Sequence, residues 1–403
     1  MCYNEYMGAV RVRKILHLDL DAFFCAVEEL KNPSLAGKAF AVGGSAGHRG
    51  VISSCSYPAR KAGVHSAMPT GQALRLCPDL ILISGSYADY SAKSGEVMAI
   101  LHNLSGLVEQ VSVDEAFIDV TDLPESPEAI ARRLQAEVRQ KTGLPCSIGA
   151  ASNKLVAKVA TDQGKARSRT GSYPSAILVV PPGQEAVFLA PLKASAMWGV
   201  GPKLAAALAT AGMNTLGDVA ARDPKDLERL FGKYGADLHA HALGIDSRPL
   251  SLGHEAKSIS QETTFARDVA DPQQLRQTLR ELSASVAYRL RKDDVCARVV
   301  RLKIRWSDFS THTRQERLAV PTDQDGAIFA VAEKLWRAVW TDGRPVRLIG
   351  VGGADLVETV HQMSLWDVST EKERKLHEAL DSLNERYGRQ AIRKASRLRN
   401  KPG

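Results

Sequence analysis

Two apolar, strand-like runs in this chain each end in carboxylates, and that pattern restricts the fold more than any other. The first is Leu18-Asp19-Leu20-Asp21-Ala22-Phe23-Phe24; the second, Ser112-Val113-Asp114-Glu115-Ala116-Phe117, follows about ninety-five residues later. An unpaired carboxylate is costly to bury. Clustered carboxylates become tolerable when they share a divalent cation. A cluster of that kind suits phosphoryl or nucleotidyl transfer, in which metal ions hold the attacking and leaving oxygens.

The local pattern adds detail. From Lys14 to Leu20 the chain alternates, with Ile15, His17 and Asp19 on one face and Leu16, Leu18 and Leu20 on the other. Asp114 and Glu115 are adjacent and would face opposite sides of a regular strand. For both to meet one centre the pleat must break, most simply at a tight hairpin with Val108–Val113 and Phe117–Val120 as arms. Phe23–Leu30 reads as a helix with Glu28 and Glu29 exposed, ended by Pro33. Pro127–Thr142 reads as an amphipathic helix, Leu144–Ala150 as a strand, and Lys154–Thr161 as the opening of another helix. Residues 37–83 form a compact insert, and 183–245 are helical and punctuated by glycine. Gly244–Ala256 has linker composition. Residues 257–356 read strand, helix, strand, strand, helix, strand.

At 403 residues, two to four domains are expected. The net charge of +8 is compatible with a polyanionic partner. The six cysteines show no C-x-x-C pair, which argues against a zinc site or a disulfide framework and for a reducing, cytoplasmic setting. Residues 1–10 read as a loose leader rather than a secretory signal. No apolar run approaches the ~20 residues that span a bilayer.

His17 to Phe24, Ser112 to Phe117 and Tyr57-Pro58-Ala59-Arg60-Lys61 resemble the Y-family translesion DNA polymerases, and Arg49 to Pro78 is similar to their bacterial DNA polymerase IV type. The resemblance runs in consistent order over roughly residues 12–356. It implies a multidomain α/β and α+β right hand: an α/β palm (11–36 and 84–182), small fingers (37–83) and a helical thumb with a helix-hairpin-helix (183–245). A linker (246–256), an α+β little finger (257–356) and a tail (357–403) would follow. The implied activity is template-directed, error-prone DNA synthesis on a primer 3′-hydroxyl, without proofreading, by a two-Mg²⁺ mechanism.

Position by position, the resemblance implies that Asp19 and Asp114 ligate both Mg²⁺ ions, that Glu115 completes the site, and that the Leu20 carbonyl is a further ligand. Asp21 receives no essential ligand role. Phe24 would pack against the incoming sugar, leaving neither room nor a hydrogen-bond partner for a 2′-hydroxyl. Tyr57, Arg60 and Lys165 would grip the triphosphate. Around Lys165 the chain departs from the family's usual Lys-Pro-Asn-Gly, so Arg167 and Arg169 compete for that contact in a longer, more basic loop.

Trp198-Gly199-Val200-Gly201-Pro202-Lys203 resembles a helix-hairpin-helix, with Gly199, Gly201 and Lys203 at a DNA phosphate. Arg301, Lys303 and Arg305 fall on one face of a strand as a basic stripe. Gln362-Met363-Ser364-Leu365-Trp366 resembles the glutamine-led peptide that docks on the bacterial sliding clamp, with Gln362, Leu365 and Trp366 as anchors. The expected partners are primer-template DNA, deoxynucleoside triphosphates and the clamp, with a monomeric, non-membrane protein. Four alternatives compete or refine. They are a catalytically inactive DNA- or clamp-binding relative, a nucleotidyl cyclase on a similar palm, a plain DNA-binding protein and a mutasome-type polymerase subunit. The three acids, the helix-hairpin-helix and Phe24 beside the acids weigh against the first three; the 49–78 stretch weighs against the fourth.

Overall fold

A computed structural model describes residues 12–168, 172–253 and 256–358, with residues 376, 379–383 and 386–387. The chain divides into two compact units near residues 254–255.

In the first unit, β1 (Ile15–Leu20) leads to α1 (Phe23–Lys31). A small insert follows: β2 (Phe40–Gly43), β3 (Ile52–Cys55), α2 (Tyr57–Lys61), α3 (Thr70–Leu76) and β4 (Ile81–Ile83). Strands β3-β2-β4 form one sheet, closed over its own core that includes Ala41, Ile52, Ala59 and Met68. Helix α4 (Tyr87–Leu104) returns the chain to a larger sheet, adding β5 (Val108–Gln110), β6 (Glu115–Asp119), α5 (Pro127–Thr142), β7 (Cys146–Ala151), α6 (Lys154–Arg167) and β8 (Ile177–Val179).

That five-stranded sheet has the order β5-β6-β1-β7-β8, so β1 is central and antiparallel to both neighbours. Leu16, Leu18 and Leu20 enter one core with α1, α4 and α5, while Ile15 enters a second core shared with α6. The helix ends follow their sequence signals. Ser126 caps α5 from just before Pro127, and Gly143 ends it in the left-handed conformation (φ 73°). Asn153 caps α6 through its side chain. Gly149 on β7 is a packing requirement: a Cβ there would overlap the Ala157 carbonyl and the Thr161 amide of α6.

The rest of the unit is helical: α7 (Glu185–Leu189), α8 (Pro202–Thr210), α9 (Leu216–Ala220), α10 (Pro224–Phe231) and α11 (Lys233–Ala242). The expected linker is only partly free. The Gly244 carbonyl accepts from Asn153, the buried Asp246 carboxylate accepts from the Leu155 amide and from Arg248, and the Ser251 amide donates to Glu109. Glu109 on β5, and Asn153 and the Leu155 amide at the start of α6, hold it down, which composition alone does not reveal.

The second unit contains β9 (Ser258–Val269), α12 (Pro272–Lys292), β10 (Val295–Trp306), β11 (Thr311–Thr322), α13 (Asp325–Val339) and β12 (Val346–Glu358). This matches the expected element order. The sheet order is β11-β10-β12-β9, all antiparallel, and both helices pack on one face. Among the described residues, no helix is long and apolar enough to cross a membrane.

Candidate active site

The expected hairpin is present, but its turn lies earlier than the arms Val108–Val113 and Phe117–Val120 predict, so Asp114 falls in the turn and Glu115 opens the second strand. Strand β5 ends at Gln110 and β6 begins at Glu115. Ser112 organises the turn between them. Its hydroxyl accepts from the amides of Asp114 (3.2 Å) and Glu115 (3.1 Å) and donates to Asp114 Oδ1 (2.5 Å). Glu115 pairs in register with Asp19 across the β1–β6 ladder, and the Leu20 amide donates to the Asp114 carbonyl at 2.9 Å. Two distant acidic runs therefore meet at one end of the central strand.

Helix α6 lays three lysines along this edge, at residues 154, 158 and 165. Lys154 Nζ pairs with Glu109 (2.7 Å), Lys158 Nζ with Glu115 (2.9 Å), and Lys165 Nζ with Asp19 (2.5 Å) and Asp21 (3.2 Å). The 4- and 7-residue steps keep them on one helical face. The sequence places Lys165 in a loop; in the structure it belongs to the last turn of α6, because the helix runs on to Arg167. Arg169 lies outside the described residues. Lys158 is absent from the sequence-based site, although its spacing from Lys165 carries the signal.

Asp21 is fully buried and accepts from the Ser147 hydroxyl (2.9 Å) and the Ser175 amide (2.9 Å). It fastens the segment before β8 to the sheet. Glu28 corrects an expectation. It is 6% exposed rather than solvent-facing, because Tyr90 and Lys31 reach it.

Asp19, Leu20, Phe24, Arg60, Asp114, Asp162 and Lys165 line one cleft of about 320 Å³. Burial pushes the Asp19 carboxyl up to about 7; Lys165 opposes that shift, while Glu115 and Asp114 add to it. Burial likewise pushes the Tyr57 hydroxyl up to about 12, against the pull of Arg60 and Lys165. The Arg60 guanidinium lies over the Tyr57 ring at 4.9 Å, and Arg60 Nε donates to the Cys55 carbonyl. Asp162, unassigned from sequence, is a third acid lining the cleft, beside Asp19 and Asp114.

The donor chemistry fits a hard divalent cation: carboxylate oxygens gather at a half-buried acid whose burial and negative neighbours resist its ionisation. As placed, no three His, Cys, Asp or Glu side chains among the described residues close into a metal cage. Asp19 and Glu115 are instead each turned to a lysine.

Away from the cleft, Gly199 has φ 93° and Gly201 precedes α8, with Pro202 in the first turn and no side-chain cap. The amides at this helix start, with Lys203, are therefore not occupied by a cap. On β10, Leu302, Ile304 and Trp306 are buried, and Arg301, Lys303 and Arg305 share the opposite face. The stripe is tempered, because Lys303 pairs with Glu262 of β9 at 2.8 Å. Gln362, Leu365 and Trp366 lie outside the described residues.

The chain is similar to known proteins along most of its length. Residues 18–162 match the impB/mucB/samB family, and residues 256–365 match its C-terminal domain. A protein called DNA polymerase IV from Desulfatibacillum aliphaticivorans is 39% identical over 389 residues, covering 95% of this chain and 96% of the relative. Among solved structures, a Y-family DNA polymerase chimera of Dbh and Dpo4 shares the fold (TM-score 0.76, 24% identity, 86% of this chain and 100% of that one). An insertion ternary complex of Dbh DNA polymerase matches with TM-score 0.61 at 25% identity over the same shares. Family match, near-complete coverage and shared architecture together show that the chain belongs to the Y-family of DNA polymerases, in its DNA polymerase IV group, and is a DNA-directed DNA polymerase of translesion synthesis.

Proposed function

We propose that Asp19, Asp114 and Glu115, with the Leu20 carbonyl, are the catalytic acids and ligands of two Mg²⁺ ions, and that the cleft beside them takes a deoxynucleoside triphosphate. The observation that carries this is the junction of the two acidic runs: Asp19 opposite Glu115 in register, with Leu20 bonded to Asp114. Bound Mg²⁺ would polarise the primer hydroxyl and offset the charge gathering on the triphosphate. Arg60, Tyr57 and Lys165 supply phosphate contacts, and Lys165 would exchange Asp19 for the triphosphate as the substrate enters. Phe24 faces the sugar and selects against ribonucleotides.

The remaining parts hold DNA. Gly199, Gly201 and Lys203 offer backbone donors and a charge to a phosphate. Arg301, Lys303 and Arg305 present a basic face to the duplex. The sequence-derived boundaries of palm, fingers, thumb and little finger are proposed unchanged, except that residues 246–251 are assigned to the catalytic unit. Clamp docking through Gln362, Leu365 and Trp366, a monomeric state, the cytoplasm as the working compartment and the lack of proofreading complete the reading.

Primer extension tests it. Synthesis should require Mg²⁺ and favour deoxynucleotides, and Phe24→Ala should admit ribonucleotides. Equal use of both sugars by the parent protein would remove Phe24 from its role.

A further inference from the structure

The side chain facing the sugar does not stand alone. The Phe24 ring stacks on Tyr90 with centroids 4.1 Å apart and planes 13° from parallel. Tyr90 lies in the first turns of α4 and is 2% exposed. Phe23 meets the same ring edge-on at 6.2 Å. Behind it, Gly85 leaves a space that a Cβ would take from the Tyr90 ring edge and hydroxyl. The Tyr90 hydroxyl donates to Glu28 Oε1 at 2.7 Å.

Glu28 sits on α1, one helical turn after Phe24, and its carboxylate is buried. Lys31 Nζ bridges Glu28 (3.3 Å) and Asp89 (2.7 Å), tying α1 to the first turn of α4. A leucine at residue 28 would fill this space without desolvating a charge. A carboxylate there does something leucine would not: it fixes one position of the Tyr90 hydroxyl, and with it the ring behind Phe24. A steric filter discriminates only as well as it resists retreat, and a close-packed ring at its back removes the direction of retreat.

We propose that Glu28 and Tyr90 are positioning residues for sugar discrimination, Glu28 anchoring the Tyr90 hydroxyl and Tyr90 bracing Phe24 against a 2′-hydroxyl. This deepens the proposed function and rests on its reading of Phe24.

Single-nucleotide insertion by the full chain on primer-template, with matched deoxy- and ribonucleoside triphosphates, provides the test; the readout is the ratio of the two kcat/KM values. Tyr90→Phe, which keeps the ring and removes the anchor, and Glu28→Leu should each raise relative ribonucleotide use about fivefold. Glu28→Gln keeps an acceptor and should stay within about twofold of the parent. Phe24→Ala, run alongside, should raise it by about fiftyfold or more. If Phe24→Ala opens the site while Tyr90→Phe and Glu28→Leu lower only the melting temperature, the brace is merely structural and the inference falls alone. If Phe24→Ala changes nothing, the sugar filter and its brace fall together.

Discussion

Lys165 Nζ lies 2.5 Å from Oδ1 of Asp19 and 3.2 Å from Oδ1 of Asp21, so one ammonium joins the end of α6 to the end of β1. Burial works against that charge, but Asp19 and Asp21 outweigh it and raise the lysine's pKa. The ammonium stands where a cation bound to Asp19 would need the same oxygen. Lys165→Met should therefore tighten Mn²⁺ binding to the nucleotide-free protein about threefold to tenfold, while raising KM for the nucleotide about tenfold. Electron paramagnetic resonance titration and steady-state kinetics read the two effects separately. Weaker Mn²⁺ binding would show that Lys165 supports the cation site rather than competing for it.

Asp114 can be neutralised with little change of shape. Asparagine retains an oxygen for the Ser112 hydroxyl. Asp114→Asn should lower synthesis by about a thousandfold or more and leave primer-template affinity within about twofold. Its melting temperature should rise, since Asp114 adds to the negative field that raises Asp19. Extension assays, fluorescence anisotropy and differential scanning fluorimetry check the three outcomes. Full extension by this variant would withdraw the ligand assignment.

The basic face of β10 has a measurable electrostatic signature. Each duplex phosphate that a cationic side chain neutralises adds about 0.9 to the slope of log affinity against log salt. Replacing Arg301, Lys303 and Arg305 together by Gln should reduce that slope by about two to three. Glu262→Gln should act in the opposite direction by freeing Lys303, raising affinity about threefold at low salt. An unchanged slope in the triple variant would assign the stripe to solvent.

Asp246 gives a pH prediction. Burial alone would raise its carboxyl, but hydrogen bonds and charge from Arg248 outweigh burial and hold it below its usual value. Its folded pKa is thus lower than its unfolded value of about 3.9. The stabilisation is complete above the unfolded value and is lost as pH falls through the folded one. Asp246→Asn should lower the melting temperature by about 2–4 °C at pH 7, and the gap to the parent should close as pH falls below about 4. A gap that persists at low pH would trace the loss to packing rather than to charge.

Much of this is legible in the chain because alternation and turn chemistry act locally. The leucines at 16, 18 and 20 mark β1, the adjacency of Asp114 and Glu115 demands the hairpin, and Pro127 with Gly143 brackets α5. The residues that stay hidden are those whose partners are remote. Glu28 looks solvent-facing until α4 brings Tyr90 to it across 62 residues. Lys158 looks like one more helical surface charge until β6 delivers Glu115. Asp246 and Ser251 read as linker because their anchors lie at Leu155 and Glu109. Periodicity reports the face a side chain occupies, whereas its counter-charge is supplied by topology.

Gly149 carries a consequence for the whole cluster. Because the backbone of α6 comes so near β7 at Ala157 and Thr161, the height of that helix above the sheet is set by a hydrogen atom where other residues carry carbon. An alanine at residue 149 would lift the rod bearing Lys158 and Lys165, and the spacing between ammonium and carboxylate would widen with it. The smallest side chain in the sheet thus calibrates the electric balance at the cleft without touching anything that enters it.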